Sequence, residues 1–214
     1  MKLNNYIDHT LLKADASRAE IMQLCQEAIS NSFFAVCVPP YWVREVKAKL
    51  HGTNVKIATV VGFPMGYSHT PAKIEECKRA IDEGANEIDM VVNIIALKEN
   101  DMNYLKNELT SATAMVHLRG AKLKVILETS LLTDDEIIRA CKLCSDMGAD
   151  FVKTSTGING GATIEAVKLM RANLPKSVKI KASGGIDSKE KALELIKAGA
   201  DRIGCSKSLK IISE

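Results

Sequence analysis

One phrase occurs three times in the chain and limits its architecture more than any other feature. Gly84-Ala-Asn-Glu-Ile88, Gly148-Ala-Asp-Phe-Val152 and Gly199-Ala-Asp-Arg-Ile203 each stand where a helix-period segment gives way to an apolar run. A glycine just past the last turn supplies the positive φ that stops the helix, and the apolar residues after it enter a buried strand. Three copies of one helix-to-strand joint mark a repeated β-α architecture.

The rest of the chain follows the same alternation. Apolar runs read as strands over 33–38, 55–61, 87–92, 123–127, 150–154, 178–182 and 202–205, and the short 6–9 segment makes an eighth. Helical periodicity covers 17–30, 71–83, 103–118, 134–147, 163–173 and 188–197. Ser17 with Glu20, and Thr133 with Glu136, have the spacing of capping boxes. Eight β-α units in 214 residues predict an α/β protein of one domain over 1–214, a (β/α)8 TIM barrel. An open doubly wound sheet is the competing fold, but no Gly-x-Gly-x-x-Gly turn follows an early strand.

Composition excludes several function classes. Aromatics are 4% and the net charge is only +3, with the basic residues dispersed, so neither base stacking nor a polyanion partner is expected. No run of 18 apolar residues and no N-terminal apolar stretch occurs, which predicts a cytoplasmic protein with no membrane partner. Cys141-Lys-Leu-Cys144 lies inside a helical pattern without a second pair, so it reads as structural. His9, His51, His69 and His117 form no ligand spacing, and no metal is expected.

Barrel chemistry gathers at the C-terminal ends of strands, so charged groups closing apolar runs are the informative ones. Lys153 closes Asp150-Phe-Val-Lys153, and Lys181 closes Val178-Lys-Ile-Lys181. Two amines on neighbouring strands disfavour each other's charge, which makes one of them a nucleophile near neutral pH. Lys179 has the parity of Lys181 but lies toward the barrel's bottom, where a solvated or paired role is expected. Asp89 sits within the apolar run 87–92, where a carboxylate needs a partner, and a lysine pair beside it would suit a proton relay. Ser183-Gly184-Gly185 after the seventh strand and Gly204-Cys-Ser206-Lys207 after the eighth occupy the usual barrel phosphate position. Cys37, at the end of 33–38, reads as a buried small residue, with a thiol at the active-site mouth as the alternative.

Over nearly its full length the sequence resembles the deoxyribose-phosphate aldolases. The matching phrases are Ile7-Asp-His-Thr-Leu-Leu-Lys13, Val36-Cys-Val-Pro39, Val61-Gly-Phe-Pro64, Glu87-Ile-Asp-Met-Val-Val-Asn93, Phe151-Val-Lys-Thr-Ser-Thr-Gly157 and Lys181-Ala-Ser-Gly-Gly-Ile186. The resemblance implies a class I aldolase that reversibly cleaves 2-deoxy-D-ribose 5-phosphate to D-glyceraldehyde 3-phosphate and acetaldehyde. It implies no cofactor, a phosphorylated sugar as partner, and a homodimer. By position, Lys153 looks like the Schiff-base lysine, Lys181 and Asp89 its proton relay, and Asp8 a carboxylate near Lys181. Thr156 and Gly157 join Gly184, Gly185, Gly204, Ser206 and Lys207 as the implied phosphate site.

Two departures bear on phosphate. Asp187 stands where the family often has arginine, and it would weaken binding unless it turned away to cap the helix that follows. Lys207 would then restore the missing positive charge. Another lysine aldolase of this fold, or a non-catalytic sugar-phosphate-binding barrel, are the alternatives. The second would be marked by loss of Lys153, Lys181 or Asp89, and all three are present.

Overall fold

In the computed structural model, which describes residues 2–214, eight strands close on themselves. They are β1 (Ile7–Thr10), β2 (Ala35–Val38), β3 (Lys56–Val61), β4 (Glu87–Val91), β5 (Lys122–Ile126), β6 (Phe151–Lys153), β7 (Lys179–Ser183) and β8 (Arg202–Cys205). Every neighbouring pair is parallel, and β8 returns to β1 through Ile7 opposite Ile203 and Asp8 opposite Gly204. This is the TIM barrel, and closure removes the edges an open doubly wound sheet would keep.

The helices lie outside: α1 (Arg18–Ser30), α2 (Val43–Lys49), α3 (Thr70–Glu83), α4 (Ile94–Lys98), α5 (Met102–Leu118), α6 (Asp134–Asp146), α7 (Ile164–Ala172), α8 (Lys189–Ala198) and α9 (Ser208–Ser213). Their buried faces (Ile21, Leu24, Leu105, Leu109, Val167 and Leu195 among them) pack on outward strand residues such as Val36, Ile88, Val152 and Ile180. Both capping boxes form as the sequence predicts. The short helices α2 and α4 were not legible, because seven and five residues hold too little periodicity to register. No helix among the described residues is long and apolar enough to cross a membrane.

The repeated phrase does more than end helices. Gly84, Gly148 and Gly199 have φ of 120°, 78° and 120°. Two residues on, each Asx grips one residue of the preceding strand at two points. Asn86 N–H donates to Ile57 O (2.8 Å) while its Oδ1 accepts from Ile57 N (2.9 Å). Asp150 does the same with Leu123 (3.1 and 2.9 Å), and Asp201 with Ile180 (2.8 and 2.9 Å). Each joint thus locks an even strand to the foot of the odd strand before it, which fixes the register on which the side chains below depend.

Candidate active site

Alternation sends every second strand residue into the barrel. Here seven buried side chains of that set are charged: Asp8 on β1, Glu87 and Asp89 on β4, Lys124 on β5, Lys153 on β6, Lys181 on β7 and Arg202 on β8. Register brings them together, since Asp89 is paired across the ladder with Lys124 and Lys153 with Lys181. Asp89 Oδ2 accepts from both Lys153 Nζ and Lys181 Nζ at 2.8 Å, while its Oδ1 accepts from Lys124 Nζ at 2.6 Å. Lys181 Nζ also lies 2.5 Å from Asp8 Oδ2. Lys124 also meets Glu87 at 2.6 Å, and Arg202 Nη1 donates to Asp8 (2.8 Å) and Glu87 (3.2 Å). The Arg202 guanidinium lies over the Phe34 ring, 3.4 Å from its centroid.

These contacts pull the lysines apart electrostatically. Burial opposes charge on Lys153, and Lys181 beside it adds to that, so its pKa falls below the ordinary lysine value despite Asp89. Burial acts on Lys181 too, but the carboxylates of Asp8 and Asp89 outweigh it and hold Lys181 as an ammonium. Burial would raise Asp89, yet Lys124, Lys153 and Lys181 hold it well below the usual carboxylate range. Asp8 is lowered to about 2 by Lys181, Arg202 and Lys124 against the same burial. The charged form of one amine, Lys153, is thus disfavoured, while those of Lys181, Lys124, Asp8 and Asp89 are favoured.

Above the lysines lies a cavity of about 430 Å³ that both of them line. Asp89 does not reach it. Thr156 and Gly157 face it from the loop after β6, Gly184 and Gly185 from the loop after β7, and Gly204, Ser206 and Lys207 from β8 and beyond. The amides of Gly184, Gly185, Ser206 and Lys207 donate to no other described part of the chain, which leaves them for an anion. Gly184 has φ of 86°, and a Cβ there would stand 2.9 Å from Gly160 O, so the two glycine loops nest backbone against backbone. Gly204 serves the lysine instead, since a Cβ there would come within 2.9 Å of Lys181 Cε, and its bareness gives Lys181 its path.

Two expectations for this rim change. Asp187 does not cap α8; Ser188 does, its Oγ accepting from Lys191 N at 3.2 Å. Asp187 stays exposed at the cavity, 3.9 Å from Lys207 Nζ, so the lysine expected to make up for it is its partner. Thr156 lines the cavity, but both its donors turn to Glu128: the amide gives Oε1 a 3.0 Å bond and the hydroxyl gives Oε2 a short one. Thr156 therefore anchors the loop and has no free donor for a phosphate.

Sequence reasoning missed Glu128, Lys124, Glu87 and Arg202. Glu128 is buried in the left-handed region (φ 62°, ψ 59°) and gathers Thr156 and Asn159. It closes an apolar strand just as Lys153 does, so the same criterion would have found it. Cys37 is buried beside Ala58 and Val60, its thiol pushed up by burial, while Lys179 is exposed as expected. Cys141 and Cys144 are buried in α6, and burial raises the Cys141 thiol to about 12. His9 donates or accepts between Ser208 Oγ (2.9 Å) and Glu27 Oε2 (2.7 Å), tying α9 to α1.

Comparison with known proteins gives the same direction. A family model described as DeoC/LacD family aldolase matches residues 3–208. The deoxyribose-phosphate aldolase of Thermococcus kodakarensis is 50% identical over 214 residues, covering 99% of this chain and 96% of the relative. That of Streptococcus uberis is 52% identical over 215 residues, covering 100% and 96%. Among solved structures, the tetrameric deoxyribose phosphate aldolase of Aeropyrum pernix superposes with a TM-score of 0.92 at 30% identity, covering 99% of this chain and 89% of that one.

Proposed function

Because the chain belongs to the DeoC/LacD family of aldolases, we propose that it cleaves 2-deoxy-D-ribose 5-phosphate reversibly through an imine on Lys153. The observation that carries this reading is the single oxygen, Asp89 Oδ2, shared by two lysines at the floor of a cavity whose far wall offers free amides.

The neutral Lys153 amine attacks the aldehyde carbon C1 of the open-chain sugar, and loss of water leaves a cationic imine. With that electron sink in place, the C3 hydroxyl gives up its proton and the C2–C3 bond breaks, its electron pair forming an enamine. Glyceraldehyde 3-phosphate leaves; protonation at C2 and hydrolysis then release acetaldehyde and free Lys153. The ammonium of Lys181 faces the cavity and is placed to give and retake these protons. Asp89 is walled off from the cavity, so its share of the relay runs through the two lysines or a water between them. The amides of the glycine loops hold the phosphate, and this remote binding sets the carbonyl against Lys153. A homo-oligomer in the cytoplasm fits the same reading, as the Aeropyrum relative is tetrameric.

The test is to incubate the protein with acetaldehyde and borohydride and map the reduced adduct by peptide mass spectrometry. An adduct on the peptide holding Lys153 supports the reading, and folded, active protein without one removes it. At the phosphate end, Lys207→Ala should raise KM by about threefold to tenfold with little change in kcat. Asp187→Ala should lower KM, since it removes the carboxylate facing Lys207. An unchanged KM in Lys207→Ala would sink the assignment of that lysine.

A further inference from the structure

The ion pairs inside the barrel do not balance. Among the described residues the network joins four cationic side chains, Lys124, Lys153, Lys181 and Arg202, to three carboxylates, Asp8, Glu87 and Asp89. All seven are buried, and an uncompensated charge in such a place is expensive, so one cation has to give up its proton. Arginine cannot. Lys124 is bracketed by two carboxylates at 2.6 Å each, and Lys181 by two at 2.5 and 2.8 Å. Lys153 has one, and the oxygen it touches already serves Lys181.

We propose that Lys124, which has no access to the substrate cavity, is a positioning residue that keeps Lys153 unprotonated by occupying Asp89 Oδ1 and Glu87. The carboxylate charge that would otherwise stabilise an ammonium on Lys153 is already taken. This rests on the reading of Lys153 as the nucleophile. The groups around Lys153 are consistent with it: Asp89 from β4, Lys181 from β7, Lys124 across Asp89 from β5, Asp8 from β1 and the neutral Cys37 from β2. The directions agree as well, with burial the main force lowering Lys153, and carboxylates raising Lys124 and Lys181 in spite of it.

The consequence is a pair of opposite shifts. Removing a cation, Lys124→Met, lets Lys153 hold its proton, so the acidic limb of activity moves up by about one pH unit or more. Removing a carboxylate from the same cluster, Glu87→Gln, leaves excess positive charge and moves the limb down. The double variant removes one of each and returns the limb toward the parent.

The readout is the pH dependence of Lys153 trapping by acetaldehyde and cyanoborohydride, which involves no titrating phosphate, alongside kcat/KM for the phosphorylated sugar. A loosened barrel could lower rates in every variant, but it would not produce shifts of opposite sign that cancel. Limbs that stay put, or that move the same way in both single variants, overturn the proposal. If Lys124→Met does not fold, Glu87→Gln and the charge-balanced double carry the same comparison. The two readings fail differently: a parent protein never trapped at Lys153 refutes the nucleophile. A parent that is trapped, with limbs indifferent to Lys124 and Glu87, refutes only the role of Lys124.

Discussion

Lys153→Met is expected to abolish imine trapping and lower kcat/KM by about 10⁴-fold or more, while melting at or above the parent temperature. The loss follows from chemistry: without the amine there is no electron sink, and the bound sugar has no route to a stabilised carbanion. The stability follows from the network. Methionine has nearly the length of lysine and fills the same path with apolar atoms, leaving three cations opposite three carboxylates.

Linkage gives the sign and the window. The folded pKa of Lys153 is depressed, so between that value and the ordinary lysine value unfolding takes up a proton. Stability from this residue is present above the ordinary value and is lost as pH falls toward the folded one. Methionine has no such slope. The melting difference between variant and parent should therefore widen as pH is lowered from about 10, then level off below the folded pKa of Lys153. Each kcal/mol gained would appear as roughly 2–4 °C in a chain of this size. A variant that melts well below the parent at neutral pH would show instead that Lys153 is held as an ammonium.

How far the sequence alone reaches is visible in the same residues. The barrel was legible because the Gly-Ala-Asx joint repeats and seven apolar runs, with the short 6–9 segment as an eighth, can be counted. The lysines and Asp89 were legible because charge at the end or middle of an apolar run has to be explained. What escaped was pairing. Lys124 lies in Lys122-Leu-Lys-Val-Ile126, where its parity alone does not separate it from exposed Lys122, since only closure of the barrel decides which is inside. Glu87 and Arg202 open their strands, and a charge at a strand start looks solvated until its partner from another strand is known. The resemblance placed Thr156 among the phosphate residues, and only Glu128, from the previous β-α unit, shows that its donors are engaged.

Asp89→Asn should give the largest loss of stability in the barrel, about 3–5 kcal/mol, with activity falling by about 10²-fold or more. Asparagine keeps the shape of the side chain but not its charge, and three lysine amines converge on it: Lys124 on one oxygen, Lys153 and Lys181 on the other. An amide can accept on one side only; its NH₂ would point at a cation. The resulting fall in melting temperature is on the order of 10 °C. Acid should reproduce the effect in the parent. Asp89 and Asp8 have folded pKa values below their ordinary ones, so the stability they contribute is present above about pH 4 and lost as pH falls through their folded values, about 2 for Asp8. The double variant Asp89→Asn/Lys124→Met then separates the two duties of the carboxylate. It removes an anion and a cation together, so much of the lost stability should return, measured as melting temperature. Activity should stay low if Asp89 also moves protons between Lys153 and Lys181. If activity returns with stability, Asp89 serves charge balance alone, and the relay belongs to Lys181 and water.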